Sequence, residues 1–392
     1  MNNDVVIVSY ARTPIGSFLG SLSSVPATKL GAIAIKGAIK KINLSKDDID
    51  QVIMGNVLSA GLGQAPARQA AIYSGLPESV ECLTINKMCG SGLKAIMLGQ
   101  EAILSGNADI VVAGGMENMS LSPHLLQNSR TGSKMGNSKL VDSMINDGLW
   151  DAYNDKHMGS CGEMCAEKYN FSREEQDEFA KQSYVKSQNA TNEGLFAKEI
   201  VPVEVSNRKE SMIIDKDEEP FKVKFDKIEK LRTVFKKDGT ITAANASTIN
   251  DGAAACILMS TKKAEELGIE PIAKIVSQSS AAQAPEWFTI APIKAMEKAL
   301  SNAKINVSDI DLFEINEAFS VVPMAAMKDL SIDSKKVNIY GGGVSLGHPI
   351  GASGARIICT LLNAMDRQEA RLGLASLCIG GGEASAMIVE KI

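Results

Sequence analysis

Two cysteines and one histidine stand beside glycines in three segments that lie far apart in the chain. They are Cys89, His348 and Cys378, and each has a glycine within two residues. The chain has only three histidines, so an imidazole held in a Gly-rich segment is a candidate for chemistry. Two thiols and an imidazole can carry acyl transfer through a thioester, followed by a second proton transfer. These three side chains are therefore the leading candidates for a catalytic centre.

Cys89 lies where a run typical of a strand turns into a helix, which we predict over 93–104. A thiol at this position faces the positive end of the helix dipole, which favours the thiolate. The small neighbours Gly90, Ser91 and Gly92 leave room for a carbonyl substrate. The alternative is a buried structural cysteine, the usual state of an isolated thiol.

His348 is held between Gly347 and Pro349 at the predicted start of another helix. An imidazole there can take the proton of a thiol or donate to an oxyanion. A lone histidine is more often a packing or surface residue, but the rigid Gly-His-Pro context favours function.

Cys378 ends a strand predicted over 374–378 and precedes three glycines. Glycines allow backbone N–H groups to point into a site and form an oxyanion hole, and a free thiol beside them can act as a base. The alternative is a tight turn at a strand end. Asn316 follows the apolar run 312–315, and its amide can hold a water or an oxyanion or cap a helix.

The elements that must position these residues alternate short apolar runs with longer amphipathic ones, which indicates an α/β fold. Strands are predicted over 5–8, 51–55, 110–113, 273–277, 312–315 and 374–378, and helices over 30–42 and 93–104. The segments around Cys89 and His348 share one order: strand, Gly-rich turn, Ser-Gly, helix, strand ending in Gly-Gly. This is either the general likeness of βαβ units or an internal duplication in which each half supplies one active-site loop.

Residues 119–248 are polar and lack regular strand alternation, which predicts an inserted lid or loop domain. A capping box at Ser172 marks a helix start inside it. Cys161 and Cys165 are four residues apart, and His157 is the only further ligand candidate nearby. We therefore predict that these thiols pack a helix and do not bind a metal.

Length and composition exclude several classes of protein. A chain of 392 residues predicts two or three units, and 45% apolar with 22% charged residues is typical of globular proteins. A net charge of -5 argues against a general nucleic-acid surface. Seven cysteines, an odd number, do not indicate a disulfide framework. Without a basic or apolar leader or a long apolar run, we predict a cytoplasmic protein with no membrane span.

Five motifs, in family order and spacing over essentially the whole chain, resemble those of the thiolases. They are Asn86-Lys87-Met88-Cys89-Gly90-Ser91-Gly92, Gly114-Gly115-Met116-Glu117-Asn118-Met119, Asn316-Glu317-Ala318-Phe319, Gly347-His348-Pro349-Ile350-Gly351-Ala352-Ser353-Gly354-Ala355-Arg356 and Cys378-Ile379-Gly380-Gly381-Gly382. His157-Met158-Gly159 is similar to the short-chain biosynthetic branch, the acetyl-CoA acetyltransferases.

The resemblance implies the α/β thiolase fold, in which two duplicated βαβαβαββ halves pack as a five-layer αβαβα sandwich. The N-terminal half would be 1–118 with about 249–271, and the C-terminal half 272–392. Residues 119–248 would form a loop domain that covers coenzyme A. The relatives are tetramers built as dimers of dimers, so a homotetramer is expected.

The resemblance also implies roles in a Claisen condensation of two acetyl-CoA. Cys89 becomes acetylated while CoA leaves, and His348 activates Cys89 and, with a water on Asn316, forms one oxyanion hole. Cys378 takes the α-proton of the second acetyl-CoA, whose carbanion gives acetoacetyl-CoA. The backbone N–H groups of Cys89 and Gly380 form a second oxyanion hole, and thiolysis is the reverse reaction.

Coenzyme A is here a substrate or product, with no tightly bound cofactor and no metal. The resemblance implies substrate contacts at Leu149, His157, Met158, Phe235, Ala243, Ser247, Ala318 and Phe319.

Two departures from the family pattern bear on the substrate. Phe288-Thr289-Ile290-Ala291-Pro292 replaces the usual Met-Gly-x-Gly-Pro, and Phe221 stands where relatives often carry Arg, so Lys222 is a candidate substitute. A degradative 3-ketoacyl-CoA thiolase of broader chain length is therefore an alternative. Two further alternatives are an inactive thiolase-like binding protein and a decarboxylating condensing enzyme, although the latter typically lacks a base thiol such as Cys378.

Overall fold

Short apolar runs form the strands of one large sheet, and helices with an apolar face cover it. The computed structural model of the protein describes residues 4–206 and 210–392. The strands in this part of the chain are β1 (Val5–Arg12), β2 (Gly16–Ser17), β3 (Gln51–Gly55), β4 (Glu81–Ile85), β5 (Ile110–Asn118), β6 (His124–Leu126), β7 (Leu140–Asp142), β8 (Trp150–Asp151), β9 (Lys156–His157), β10 (Val203–Ser206), β11 (Ser211–Ile214), β12 (Asn250–Ser260), β13 (Ala273–Ala282), β14 (Leu312–Ile315), β15 (Leu372–Ile379) and β16 (Glu383–Lys391). The α-helices are α1 (Ala27–Lys41), α2 (Pro66–Tyr73), α3 (Ser91–Leu104), α4 (Met158–Tyr169), α5 (Arg173–Asn192), α6 (Thr261–Leu267), α7 (Ala291–Ala303), α8 (Val321–Leu330), α9 (Gly343–Leu346) and α10 (Ile350–Arg367).

The sheet is built from two halves with the same pairing. Its strands follow the order β14-β15-β16-β13-β1-β12-β5-β3-β4, with β2 added beside β12. In the N-terminal half β3 pairs in parallel with both β4 and β5. In the C-terminal half β14 pairs in parallel with β15 and, through a single bridge between Phe313 and Val337, with the segment before His348. The repeated pairing supports the predicted duplication, although the strand expected before His348 is reduced to this bridge.

The two halves meet along β1 and β13 and through two central helices. β1 and β13 pair antiparallel at only two positions, so the sheet turns from one half into the other. Helices α3 and α10 pack on each other and contact strands of both halves, whereas α1 and α2 cover the N-terminal strands and α7 covers the C-terminal strands. The predicted αβαβα layering is thereby confirmed.

The first turns of α3 and α10 approach each other backbone to backbone. A Cβ added at Gly92 would lie 2.6 Å from the backbone nitrogen of Ala355, and one at Gly354 would lie 2.2 Å from the backbone nitrogen of Leu93. Any larger residue would force the helices apart. This contact brings together the segments just before the two helices, which carry Cys89 and His348.

The predicted strands all form, but two long strands, β16 at the C-terminal end and β12 in the centre, were not predicted. This central strand pairs with β1 and β5 and is buried along its whole length. Its run of Ala253, Ala254 and Ala255 has little intrinsic strand preference, so tertiary pairing decides its conformation. The capping box at Ser172 is confirmed, since Ser172 Oγ accepts the N–H of Glu175 at the start of α5.

A buried ionic network fastens residues between β5 and β12 to the sheet. Arg12, on β1, donates from Nε to Glu199 Oε1 (2.5 Å) and from Nη1 and Nη2 to the two oxygens of Asp217 (2.7 and 2.9 Å). Glu199 also accepts from Thr360 and Asn363 on α10. One guanidinium thus joins β1 to two segments of the inserted region. No helix among the described residues is long and apolar enough to cross a membrane.

Candidate active site

Cys89 and His348 line one cavity of about 280 Å³, where the two halves meet residues from the inserted region. Most of its other lining side chains are apolar. The lining consists of Cys89, Met119, Gly148, Leu149, His157, Met158, Val234, Phe235, Ala246, Ser247, Thr248, Ile249, Phe288, Ala318, Phe319, His348 and Ile350. A thiol and an imidazole in an apolar cleft of this size can accept a small acyl group and exclude water from it.

Cys89 lies on a tight turn between β4 and α3. Met88 has a φ of 47°, an unusual conformation for a residue with a side chain, and it turns the chain so that Cys89 faces the cavity. Ser91 fixes the turn, because its Oγ accepts the N–H of Lys87 (2.8 Å) and donates to the carbonyl of Met88 (2.7 Å). The backbone N–H groups of Cys89 and Gly380 both face the Cys89 thiol.

The ionisation of Cys89 differs from the sequence-based expectation. Burial raises the pKa of Cys89 to about 11, and the N–H groups of Gly380 and Cys89 only partly oppose this rise. The expected stabilisation of the thiolate by the helix dipole is wrong for the resting protein, because removal of the thiol from water outweighs it. Cys89 is thus protonated at neutral pH, and a base would be required to ionise it.

His348 is a neutral imidazole with one nitrogen free for that role. Burial, aided by the charge of Arg356, lowers the pKa of His348 to about 3. Ser353 Oγ lies 2.6 Å from His348 Nδ1 and donates its single proton to the carbonyl of Pro349 at 3.0 Å. Ser353 must then accept from Nδ1–H, which leaves the lone pair on Nε2. Asn250 holds the backbone, since its Oδ1 accepts the N–H of His348 at 2.9 Å.

Asn316 adjoins the free nitrogen of His348. Its Nδ2 lies 3.5 Å from His348 Nε2, and its buried Oδ1 has no hydrogen-bond partner. Asn316 does not cap a helix, because α8 begins only after Ser320. An amide with one orphaned atom beside a free imidazole nitrogen is suited to hold a water or a carbonyl oxygen.

Cys378 lies behind the cavity wall at the end of β15. It is fully buried and does not line the cavity. Burial raises its pKa well above the ordinary value, and the neighbouring thiols of Cys89 and Cys165 raise it further. The structure therefore brings the two candidate thiols close to each other, and both are protonated at rest.

The residues expected to contact substrate are nearly all in the cavity wall. Seven of the eight line it, namely Leu149, His157, Met158, Phe235, Ser247, Ala318 and Phe319. The eighth, Ala243, is exposed and lies outside this wall.

Aromatic rings form one side of the cavity. The imidazole of His157 stacks on Phe235 with ring centroids 4.7 Å apart, and Phe235 meets the edge of Phe319 at 6.1 Å. The backbone N–H and Oγ of Ser247 both donate to the carbonyl of Ala318 (3.0 and 2.9 Å). This pair of bonds joins the inserted region to the Asn316 segment.

Sequence reasoning gave no substrate contact to seven further lining residues, most of them apolar. They are Met119, Gly148, Val234, Ala246, Thr248, Ile249 and Ile350. Most of them stand within two residues of a recognised motif or substrate position, which is the only signal that the sequence offers. Phe288, noted as a departure, is buried and lines the same cavity.

Comparison with known proteins agrees with this geometry. The family model of the thiolase N-terminal domain matches residues 5–262, and that of the thiolase C-terminal domain matches residues 269–391. The chain is a member of the thiolase family. It is 52% identical to an acetyl-CoA acetyltransferase of Schizosaccharomyces pombe, with all of both chains covered. It is 51% identical to an acetyl-CoA acetyltransferase of Cupriavidus necator, with 99% of each chain covered.

Solved thiolase structures have the same fold. The crystal structure of the Acat5 thiolase of Ascaris suum in complex with coenzyme A matches with a TM-score of 0.95 and 46% identity, covering 99% of this chain and 100% of that one. The acetyl-CoA acetyltransferase of Bacillus anthracis matches with a TM-score of 0.97 and 38% identity, covering 100% and 99%. Both likenesses extend over the whole thiolase chain and include both halves and the region between them.

The departures from the family pattern have visible partners in this thiolase. Lys222, the candidate substitute for an arginine, donates from Nζ to Ser17 Oγ, while the neighbouring Phe221 is 53% exposed. Apart from these departures, Lys87 beside Cys89 forms an ion pair with Glu383, the first residue of β16. Within the described residues, no group of three or more His, Cys, Asp or Glu is arranged to hold a metal ion.

Proposed function

We propose that the protein is an acetyl-CoA C-acetyltransferase, which condenses two acetyl-CoA to acetoacetyl-CoA and CoA and also catalyses the reverse thiolysis. The observation that carries this proposal is the meeting of two thiols and a neutral imidazole at one apolar cavity, with Cys89 and His348 in its wall and Cys378 directly behind. The names of the relatives at about half identity over the whole chain support the same activity.

In the first half-reaction Cys89 is the nucleophile and His348 the base. Nε2 of His348 takes the thiol proton as Cys89 attacks the thioester carbonyl of acetyl-CoA. The carbonyl oxygen becomes an oxyanion, which the N–H groups of Cys89 and Gly380 stabilise by hydrogen bonds. CoA then leaves as the thiol by taking the proton of Cys378, which becomes a thiolate. His348 keeps the proton from Cys89 on Nε2, and the acetyl group remains on Cys89.

In the second half-reaction Cys378 is the base. As a thiolate it removes the α-proton of a second acetyl-CoA, whose enolate oxygen is held by Nε2–H of His348 and a water on Asn316. The enolate carbon attacks the acetyl group on Cys89, so that a carbon–carbon bond forms and the carbon–sulfur bond to Cys89 breaks. The Cys89 sulfur takes back the proton from Nε2 of His348, and Cys378 keeps the α-proton, which restores the resting site. The product is acetoacetyl-CoA.

Coenzyme A binds at the mouth of the cavity under the inserted region. We propose that 119–248 form the loop domain that covers it, with Leu149, His157, Met158, Phe235 and Ser247 as contacts, Ala318 and Phe319 on the facing wall, and Ala243 outside near the CoA path. Apolar walls and stacked rings suit the pantetheine arm, which has few charges. The crystal structure of the Ascaris thiolase in complex with coenzyme A supports coenzyme A as a ligand.

A substrate panel tests the assignment. The purified protein should cleave acetoacetyl-CoA with CoA, and Cys89→Ser should abolish this activity. Acetyl-CoA should add one acetyl group to Cys89, as measured by peptide mass spectrometry. A wide preference for long 3-ketoacyl-CoA would favour the degradative alternative. Phe288 and Phe319 both line the cavity and pack against each other with ring centroids 6.5 Å apart, and the bulk of these two rings favours short chains.

Alkylation distinguishes the enzyme from an inactive thiolase-like protein. Iodoacetamide should modify Cys89 selectively, and acetyl-CoA should protect it. Slow and uniform modification of all seven cysteines would support the inert alternative.

The assembly is proposed to be a homotetramer, built as a dimer of dimers. Among the described residues β4 ends the sheet at its N-terminal edge and leaves Leu83 half exposed, a feature that suits pairing with a second copy. The β6–β7 hairpin region exposes Leu126, Met135 and Leu140, which are candidates for a second contact. Native mass spectrometry should give four chains per particle.

We also propose a cytoplasmic location, supported by seven free cysteines and testable by cell fractionation.

A further inference from the structure

Glu117, near the end of β5, accepts hydrogen bonds from two segments beside the cavity, residues 56–58 and Gly351. Its Oε1 accepts from Asn56 Nδ2 (2.9 Å) and the N–H of Leu58 (3.2 Å). Its Oε2 accepts from the N–H groups of Val57 (3.0 Å) and Gly351 (2.9 Å). The carboxylate is fully buried, and four donors meet its two oxygens.

We propose that Glu117 is a positioning residue for the proposed acetyl transfer, and that its ionised carboxylate holds Cys89 and His348 in register. This inference rests on the proposed function for its kinetic consequence. Glu117 touches no reacting atom and acts through the segments that it joins.

One of these segments carries His348. Gly351 lies in the first turn of α10, three residues after His348, and its N–H is bound by Glu117. A Cβ at position 351 would lie 2.6 Å from Glu117 Oε2, so only glycine permits this contact. Glu117 thus fixes the C-terminal helix to a strand of the N-terminal half.

The other segment supports Cys89. Val57 and Leu58 belong to a small apolar cluster with Met119 and Ile350, and Cys89 packs against this cluster. Met119 and Ile350 also line the cavity. A shift of residues 57 and 58 would therefore move the apolar side chains on which Cys89 packs.

The arrangement of donors requires the charged form. A carboxylate offers two acceptor oxygens, whereas a carboxylic acid or an amide places a hydrogen where two N–H groups already point. Either change leaves at least one buried donor opposed to another donor, on the Asn56–Leu58 side or on the Val57–Gly351 side.

Burial raises the pKa of Glu117 to about 7, so the carboxylate is lost in mildly acidic solution. Two titratable groups face Glu117. Asp251, on β12, raises the pKa of Glu117, and Glu117 raises the pKa of Cys89. His348 is neutral over this range. No lysine or arginine forms an ion pair with Glu117 among the described residues.

The test compares Glu117→Gln, Glu117→Asp and Asp50→Asn in thiolysis of acetoacetyl-CoA. Asp50 is a matched control, because its Oδ2 accepts the N–H groups of Asp109 (2.7 Å) and Ile110 (2.9 Å) at the opposite end of β5. Wild-type kcat should rise with pH through an apparent pKa near 7. Glu117→Gln should lower kcat by about 10- to 100-fold, keep KM for CoA within about twofold and lose this acid limb. Asp50→Asn should keep the wild-type kcat and its fall at acidic pH. Glu117→Asp should keep the fall at acidic pH with a reduced kcat.

A second readout is independent of turnover. The pH profile of Cys89 alkylation by iodoacetamide should move to lower pH in Glu117→Gln, because a negative charge near the thiol is removed. Folded Glu117→Gln with wild-type kcat, acid limb and alkylation profile would overturn the proposal. If Glu117→Gln does not fold, an absent acid limb in Glu117→Asp overturns it. If wild-type protein lacks thiolysis, the proposed function fails, and the alkylation profile still decides the role of Glu117.

Discussion

Replacing Ser353 by alanine should impair His348, the proposed base, and leave substrate binding intact. In the structure Ser353 Oγ is 2.6 Å from His348 Nδ1 and 3.0 Å from the carbonyl of Pro349. The hydroxyl has one proton, and its use on Pro349 obliges Ser353 to accept from Nδ1–H. Alanine would leave Nδ1–H buried without a partner and remove the preference for the tautomer with a free Nε2.

The size of the effect follows from the lost hydrogen bond. A buried donor left without a partner costs about 1–3 kcal/mol, and His348 can avoid this cost by moving its proton to Nε2. The base form would then be the minor tautomer, and kcat should fall by about 10- to 100-fold. KM for acetoacetyl-CoA should change little, because Ser353 does not line the cavity.

The assay is single-turnover acetylation of Cys89 followed by steady-state thiolysis. Ser277→Ala is a matched control, since Ser277 is a buried serine on β13 whose Oγ donates to the carbonyl of Ala299 at 2.9 Å. It should lose a comparable amount of stability and keep wild-type kcat. Ser353→Ala with at least half of the wild-type kcat, in a folded protein, would refute the tautomer argument.

Three further predictions concern specificity and stability. Phe288→Ala should enlarge the cavity and raise the ratio of kcat/KM for longer 3-ketoacyl-CoA over acetoacetyl-CoA; an unchanged ratio would mean that Phe288 does not limit the chain. Arg12→Met should lower the free energy of unfolding by about 3–5 kcal/mol, because Glu199 and Asp217 would remain buried without their cation; urea denaturation measures this. The raised pKa of Glu117, about 7 against the ordinary 4.5, means that the folded protein binds the extra proton. The contribution of Glu117 to the free energy of unfolding should therefore fall by about 3 kcal/mol as the pH rises from about 4.5 to 7. Calorimetry at several pH values should show this dependence in the wild type and not in Glu117→Gln.

The motifs identified the residues of the candidate site well. They gave less information on the contacts that position those residues. Short β-branched or apolar runs gave the bounds of β3 and β14, because the strand period and the flanking turns agree there. The alanine run of β12 carries no such local signal, so a central strand was missed. The meeting of Cys89 and His348 depends on a backbone contact between two helices, which is visible only once both helices are placed.

The electrostatics of the site were also beyond sequence reasoning. The position of Cys89 before α3 predicts a stabilised thiolate, yet burial reverses the sign of the effect. Glu117 stands inside a quoted motif, but its four donors come from residues 56–58 and 351. Desolvation and convergent donors are properties of the packed chain, and neither can be obtained from residue types in order.

The two thiols are protonated and His348 is neutral in the resting site, so each thiol would need a partner to ionise. With a pKa of about 11, Cys89 is a thiolate in only about one molecule in ten thousand at pH 7. His348, with a pKa of about 3, is likewise almost never protonated to the imidazolium at pH 7. An ion pair between them becomes favourable only when the attack on a thioester moves the negative charge from sulfur to a carbonyl oxygen, where the N–H groups of Cys89 and Gly380 are already oriented. The apolar surroundings thus disfavour the thiolate until substrate is bound. The same surroundings exclude water from the proposed acetyl-enzyme.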